Sequence, residues 1–274
     1  FQCGLTKSII ITIIIFVLNL LSFMIYFKTW IFGNAFSYEG ITSIAISRNL
    51  AIFISIIIIF SFICISVDMS QSIPYYFVDL FSLSSKCPSI LLNKWFLYYI
   101  INFLTVFPSL FNKSIASFNI ISTIGNFFLI ISIIFFFIGF ASNRPLKFEA
   151  THDSRKFQFD ANCIKGITNM FFINPILYLI TTNMTSPSTK SITGIVIITN
   201  LASVIASLSV GIVGYFYHSN IENILDLLPR KSAYTIIAKI GLIIKLISSN
   251  MCYVYIISSR VCELILKGSE KWPV

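Results

Sequence analysis

Between Lys7 and Lys28 the chain reads SIIITIIIFVLNLLSFMIYF, a run without one charged residue, and six more stretches of comparable length and character follow it. A helix needs about 20 mainly apolar residues to cross the hydrocarbon core of a bilayer. The seven runs cover approximately residues 8–27, 49–78, 95–111, 115–140, 166–185, 192–217 and 233–258. The second begins after Arg48 and continues past Asp68; the third is the shortest and is expected to end at Pro108. Barrel strands would alternate polar and apolar residues over about 10 positions, and these runs are too long and too uniform for that. The expected architecture is all-α, a polytopic transmembrane helical bundle.

Composition agrees. The chain is 57% hydrophobic and 11% charged, with mean hydropathy +0.89, whereas soluble domains run at about 25% charged residues. A water-soluble core of this length could not bury so much apolar surface, so the lipid bilayer is the expected partner. The net charge of +9 is spread over the connecting segments without interleaved aromatics, so there is no footprint for nucleic acid. Six cysteines show no CxxC or Cys/His metal spacing and read as small buried hydrophobes. No Met stands at position 1 and no signal peptide is recognisable; the chain reads as cut from something longer. Residues 144–165, rich in both signs of charge, are expected to form a solvated loop, with a gating flap as its functional reading.

Lysine and arginine do not set the orientation. One side of the expected topology collects Lys28, Arg48, Lys113, Lys190, Arg260, Lys267 and Lys271; the other collects Lys7, Lys86, Lys94, Arg144, Lys147, Arg155, Lys156, Lys165, Arg230 and Lys231.

Polar residues inside the apolar runs point to function. Asp68, Lys239 and Lys245 are ionisable groups within spans, and each needs a partner or a wet cavity. Lys239 lies near the end of its span and can snorkel to the interface. Lys245 is nearer the middle and suits a functional or ion-mimicking role. Asp68 suits either a polar seam or the interface. The fifth run, NMFFINPILYLITTNMTSP at 169–187, carries Asn169, Asn174, Pro175 and Asn183 and a run of hydroxyls. Pro175 removes a backbone donor and clashes with the preceding turn, so the helix is expected to kink or unwind around residues 171–174. Opened backbone at membrane depth persists where it is buried or lines a cavity, and half-helix ends of this kind hold charged solutes in transporters. A plain proline kink packed among its neighbours is the alternative.

Several stretches resemble the amino acid/auxin permease family of transmembrane amino acid transporters. GIVGYFYHSNIENILDLLP at 211–229 is similar to that family's signature through Gly211, Gly214, Tyr215, Ile224, Leu225 and Pro229. FPSLFNKSIASFNIISTIGN resembles the passage between the fourth and fifth helices through Pro108, Phe118 and Ser122. SYEGI at 37–41, YYFVDLF at 75–81 and YVYIISSRVCELI at 253–265 resemble the ends of the second, third and eighth helices. The resemblance implies one transporter domain over residues 1–274, with the inverted-repeat fold of the leucine-type sodium symporters, truncated at both ends so that the seven runs are the second to eighth helices.

It further implies secondary active transport of amino acids by alternating access, with the substrate held at a broken sixth helix. Phe171, Asn174 and Pro175 fall on that helix's substrate-binding pattern, and Asn183 stands where many members have glutamate. Backbone around Phe171–Pro175 would hold the charged ends of the amino acid, Phe172 and Tyr178 would shape the pocket, and Asn169, Asn174 and Asn183 would supply polar contacts. No other cofactor is expected; the coupling ion could be Na+ or H+, although the family's histidine and glutamate are replaced here. Ser248 and Ser249 are candidates for a Na+ site, and the ammonium of Lys245 for a substitute occupant. The membrane could be the plasma membrane or one of vacuolar or lysosomal type. No GxSxG, HExxH, phosphate loop or paired carboxylates suggest an enzyme, and His152 and His218 form no intramembrane cluster. The alternative is an amino acid sensor or scaffold of the same fold.

Overall fold

The structure, a computed structural model, describes residues 5–33, 42–44, 46–84, 86–111, 118–143, 189–217 and 224–266. Six long helices occur among them: α1 (Leu5–Gly33), α2 (Arg48–Phe81), α3 (Lys94–Phe111), α4 (Asn119–Asn143), α5 (Thr189–Tyr217) and α6 (Ala233–Leu266). Short 3-10 turns cover Ser89–Leu92 and Ile224–Leu227, and no strand occurs among the described residues. Isoleucine-rich runs favour strands in water. In lipid, a backbone satisfied within its own segment decides the outcome for helix.

The described residues are thus all-helical, and stretches within five of the helices are long and apolar enough to cross a membrane: Ser8–Ile25, Arg48–Phe81, Ile120–Ser142, Lys190–Val213 and Ala233–Cys262. The third expected run is the 18-residue α3. It does not end at Pro108, which lies inside the helix, as Pro74 does inside α2. The fifth expected run lies outside the described residues. α2 has 34 residues, about 51 Å at 1.5 Å per residue, so it tilts in or projects from a hydrocarbon core of about 30 Å.

Helix ends follow local chemistry. Ser47 caps α2, its Oγ accepting from the Leu50 N–H at 3.3 Å. Asn93 caps α3, its Oδ1 accepting from the N–H groups of Trp95 and Phe96. Such side chains take up amides that the first turn leaves unpaired. Ahead of α6 the carbonyl of Pro229 accepts from both the Ser232 N–H and the Thr235 hydroxyl.

The chain divides into two compact units, one of residues 1–37 and 143–227, the other of residues 38–142 and 228–274. In the first, α1 and α5 pack through Ile11, Ile15, Phe16, Val204 and Leu208, and Asn19 Nδ2 donates to the buried Asn200 Oδ1 at 3.2 Å. Later residues of α1 meet earlier residues of α5, so the pair is antiparallel.

The second unit holds α2, α3, α4 and α6. The inward stripe of α2 is Ala51, Ser55, Ile58, Phe62, Ser66, Ser70 and Ile73, at helical spacing, while Phe53, Ile56, Ile57, Phe60, Ile63 and Val67 face out. Small and hydroxyl residues inside with large apolar ones outside reverse the order of a water-soluble helix and suit one packed in lipid. Ile73, Leu97, Ile101 and Ile243 join α2, α3 and α6 in one core.

α4 meets α6 through small residues. A Cβ on Gly125 would overlap Ser248 Oγ, and one on Gly241 would lie 2.7 Å from the carbonyl oxygen of Phe128. Ser132 Oγ donates to the carbonyl of Ala238 at 2.7 Å, and Gly139 abuts Tyr234. Gly125, Ser132 and Gly139 recur every seven residues on one face of α4, which brings the two backbones close. Their partners run backwards along α6, so these helices are antiparallel; the contacts of α2 with α6 run the same way.

Candidate functional site

The polar groups of the second unit collect on α6, on two faces. Lys239 and Asn250 are eleven residues apart, three helical turns, and share the face toward α2. Ala238, Gly241, Lys245 and Ser248 share the face toward α4, following the 3.6-residue repeat.

Toward α2, Ser66 Oγ donates to Asn250 Oδ1 at 2.6 Å and Asn250 Nδ2 donates to Ser70 Oγ at 3.0 Å. Asn250 is fully buried, and Phe62 and Tyr253 close the seam one turn away with ring centroids 5.7 Å apart. Further along, Lys239 Nζ donates to Asp79 Oδ2. The Lys239 side chain is 2% exposed and Asp79's 14%. The exposed Arg230 guanidinium lies 3.8 Å from the other carboxylate oxygen. Lys239 therefore does not snorkel: it is buried and paired. Removing two charges from water is offset here by their mutual attraction and the hydrogen bond.

Toward α4, Lys245 Nζ donates to Asn126 Oδ1 at 2.7 Å. Both residues lie inside stretches long and apolar enough to cross a membrane, Ala233–Cys262 and Ile120–Ser142. Asn126 is exposed on the unit's outside and Lys245 partly so. Ser248 is buried, and its hydroxyl donates to the Lys245 carbonyl at 2.9 Å while its oxygen packs against Gly125. Ser249 is half-buried. Of the expected ion-coupling residues, Lys245 and Ser248 thus come together against α4.

Asn169, Phe171, Phe172, Asn174, Pro175, Tyr178 and Asn183, the expected substrate residues, lie outside the described residues. Asp68 is exposed on the outer face of α2 and takes no part in the seam. Among the described residues no group of three or more His, Cys, Asp or Glu side chains could hold a metal ion.

Sequence reading that searched the spans for ionisable groups missed Asn126, Asn250, Ser66 and Ser70. Their signal was present: a neutral amide in an apolar run has the same need for a hydrogen-bond partner. Asp79 was visible only as part of the YYFVDLF stretch, and its pairing with Lys239, 160 positions away, is tertiary information.

Five helices long and apolar enough to cross a bilayer point to the class of multi-pass membrane proteins, here with a polar seam inside one unit. No protein-family model, curated protein or solved structure matches the chain.

Proposed function

We propose that this protein is a secondary active transporter of amino acids working by alternating access, with the inverted-repeat fold that its sequence motifs suggest. The observation that carries the reading is the polar line on α6. Lys239, Lys245, Ser248 and Asn250 lie within one membrane-spanning stretch and engage α2 on one side and α4 on the other. An ammonium at the centre of an isolated span costs roughly 2.5–3.5 kcal/mol by insertion scales, and such groups mark solute or ion pathways. A protein that needed only to sit in lipid would gain from replacing Lys245 with leucine.

In this reading Lys245 and Ser248 belong to the polar path that the solute follows near the bilayer midplane. The test is uptake of radiolabelled amino acids into proteoliposomes by the full-length protein, with and without Na+ and proton gradients. Saturable uptake of at least one amino acid supports the transporter. Saturable binding without flux would identify the sensor instead, and neither would end the reading.

A further inference from the structure

Lys245 is a cation whose charge the described residues leave unmatched. α4, which it faces, has no charged residue between Asn119 and Asn143. The other charged groups of α6 are Lys239, Arg260 and Glu263, and Glu263 lies eighteen residues away, about 27 Å along the helix. On α2, Asp79 is held by Lys239, and Asp68 points outward. Cys252, two turns on along α6, is the titratable group beside it and carries no charge as a thiol; the hydrogen-bond acceptor that Lys245 has among the described residues is neutral, Asn126 Oδ1.

The donors left over form a set. An ammonium carries three N–H donors and a primary amide two. With one ammonium donor spent on Asn126 Oδ1, two remain on Lys245, and the Asn126 amide nitrogen stands on the carbon that bears the accepting oxygen. The bond therefore locks two donor groups side by side, on the accessible outer side of the α4–α6 contact. Close packing fixes their positions: the Gly125 backbone, next to Asn126, is pressed against Ser248, one turn from Lys245. A donor-only site with one positive charge complements a singly charged anion with two acceptor oxygens. A phosphate dianion would leave a second charge unmatched, and a halide would leave one donor group without an oxygen.

We infer that Lys245 and Asn126 form a recognition site for the carboxylate of a small organic acid, the ligand supplying the counter-charge that the described residues do not. The inference deepens the transporter reading and rests on it only where the carboxylate is taken to be that of an amino acid. It assigns Lys245 to binding the solute's anionic end, in place of standing in for a coupling cation.

The experiment uses the full-length protein in lipid nanodiscs. Thermal unfolding is followed with the twenty L-amino acids, with their deaminated counterparts such as 4-methylpentanoate, with their decarboxylated counterparts such as 3-methylbutan-1-amine, and with sodium chloride. Carboxylic acids and amino acids should raise Tm, while amines and chloride should not. Lys245→Met should weaken the acid response at least tenfold in half-saturating concentration, and Lys245→Arg should retain it. Asn126→Asp places a carboxylate where the neutral acceptor stood, and should raise Tm without ligand while abolishing the response to acids. No response to any carboxylate, an unchanged response in Lys245→Met, a chloride response equal to that of the acids, or a lower Tm in ligand-free Asn126→Asp overturns the inference. The two readings fail separately. Amino acid uptake with an unaltered KM in Lys245→Met sinks the site and leaves the transporter, whereas Lys245-dependent acid binding without amino acid flux does the reverse.

Discussion

Two glycine-to-alanine substitutions test the helix packing on which the α4–α6 site depends. At Gly241 an added Cβ would meet the Phe128 carbonyl oxygen at 2.7 Å and Ser132 Cβ at 3.1 Å. The first is backbone and cannot rotate away, so α4 and α6 must separate by roughly 0.5–1 Å to restore ordinary contact. Forcing extra carbon into a packed interface costs about 1–3 kcal/mol, and the displacement also stretches the 2.7 Å bond from Ser132 to Ala238. Gly194, inside α5, meets nothing within 4 Å, so Gly194→Ala gains about 0.8–1.0 kcal/mol of helix propensity with no clash. Both glycines are helical, so the propensity gain is common to the two variants and the difference between them should be the clash, about 1–3 kcal/mol, in equilibrium unfolding by SDS in mixed micelles, Gly241→Ala being the less stable. If Gly241→Ala is as stable as Gly194→Ala, the close approach of α4 and α6 is wrong, and with it the placement of Asn126 beside Lys245.

Asp79→Asn leaves the buried Lys239 ammonium without its counter-ion and should destabilise the same unfolding transition by about 3–5 kcal/mol; Asp79→Leu combined with Lys239→Met should recover most of that loss. Asn250→Leu removes the bonds to Ser66 and Ser70, and with interhelical bonds in membranes averaging about 0.6 kcal/mol, a loss of about 1–2 kcal/mol is expected from the same titration. The antiparallel contacts of α6 with α2 and α4 put Ser84, Ser142 and Ser232 at one end of their unit and Ser47 and Ile265 at the other. Single cysteines at these positions, in a background without the native cysteines, should therefore split into those two groups when labelled by an impermeant maleimide from one side.

The spans were legible because hydrocarbon thickness acts on length and composition alone, with no need to know what each helix touches. Residues 49–78 were read as one long span across Asp68 and Pro74, and α2 is one helix there. What the run could not convey was which face turns inward. In a water-soluble helix the contrast between apolar and polar faces gives the answer; here both faces are apolar, and the inner one is distinguished by Ala51, Ser55, Ser66 and Ser70, small or hydroxyl residues scattered among isoleucines. Lys239 was misjudged for a related reason. Position near a span's end favours snorkelling, but the partner that reverses the choice, Asp79, sits on another helix, and no local pattern announces it. Lys245 drew attention because its position along the span follows from counting residues, whereas its acceptor Asn126 is neutral and raised no alarm.

The two sides of α6 are held by different kinds of contact, and that difference bears on how a bound acid could move the protein. Toward α2 the helix is tied by directional bonds between fully buried or nearly buried groups, Asn250 with Ser66 and Ser70 and Lys239 with Asp79, each of which must break outright for the helices to shift. Toward α4 the contact is made mainly by Gly125, Gly139, Gly241 and Ser248, residues with little side chain to unlock, with the Ser132–Ala238 bond as the buried directional tie, and small sliding of packed helices is a common form of domain motion. A ligand changes an equilibrium only through a difference in its affinity for the two states. At this contact the difference has an atomic source, because a carboxylate accepting from both Lys245 and the Asn126 amide is gripped only while the bond between those two residues keeps α4 and α6 in register. Acid would therefore draw α4 toward that register while the α2 face stays fixed. Ligand binding would therefore move α4 against a rigid pair of α2 and α6, and a spin-label pair on α4 and α6 should report a distance change with acid that a pair on α2 and α6 does not.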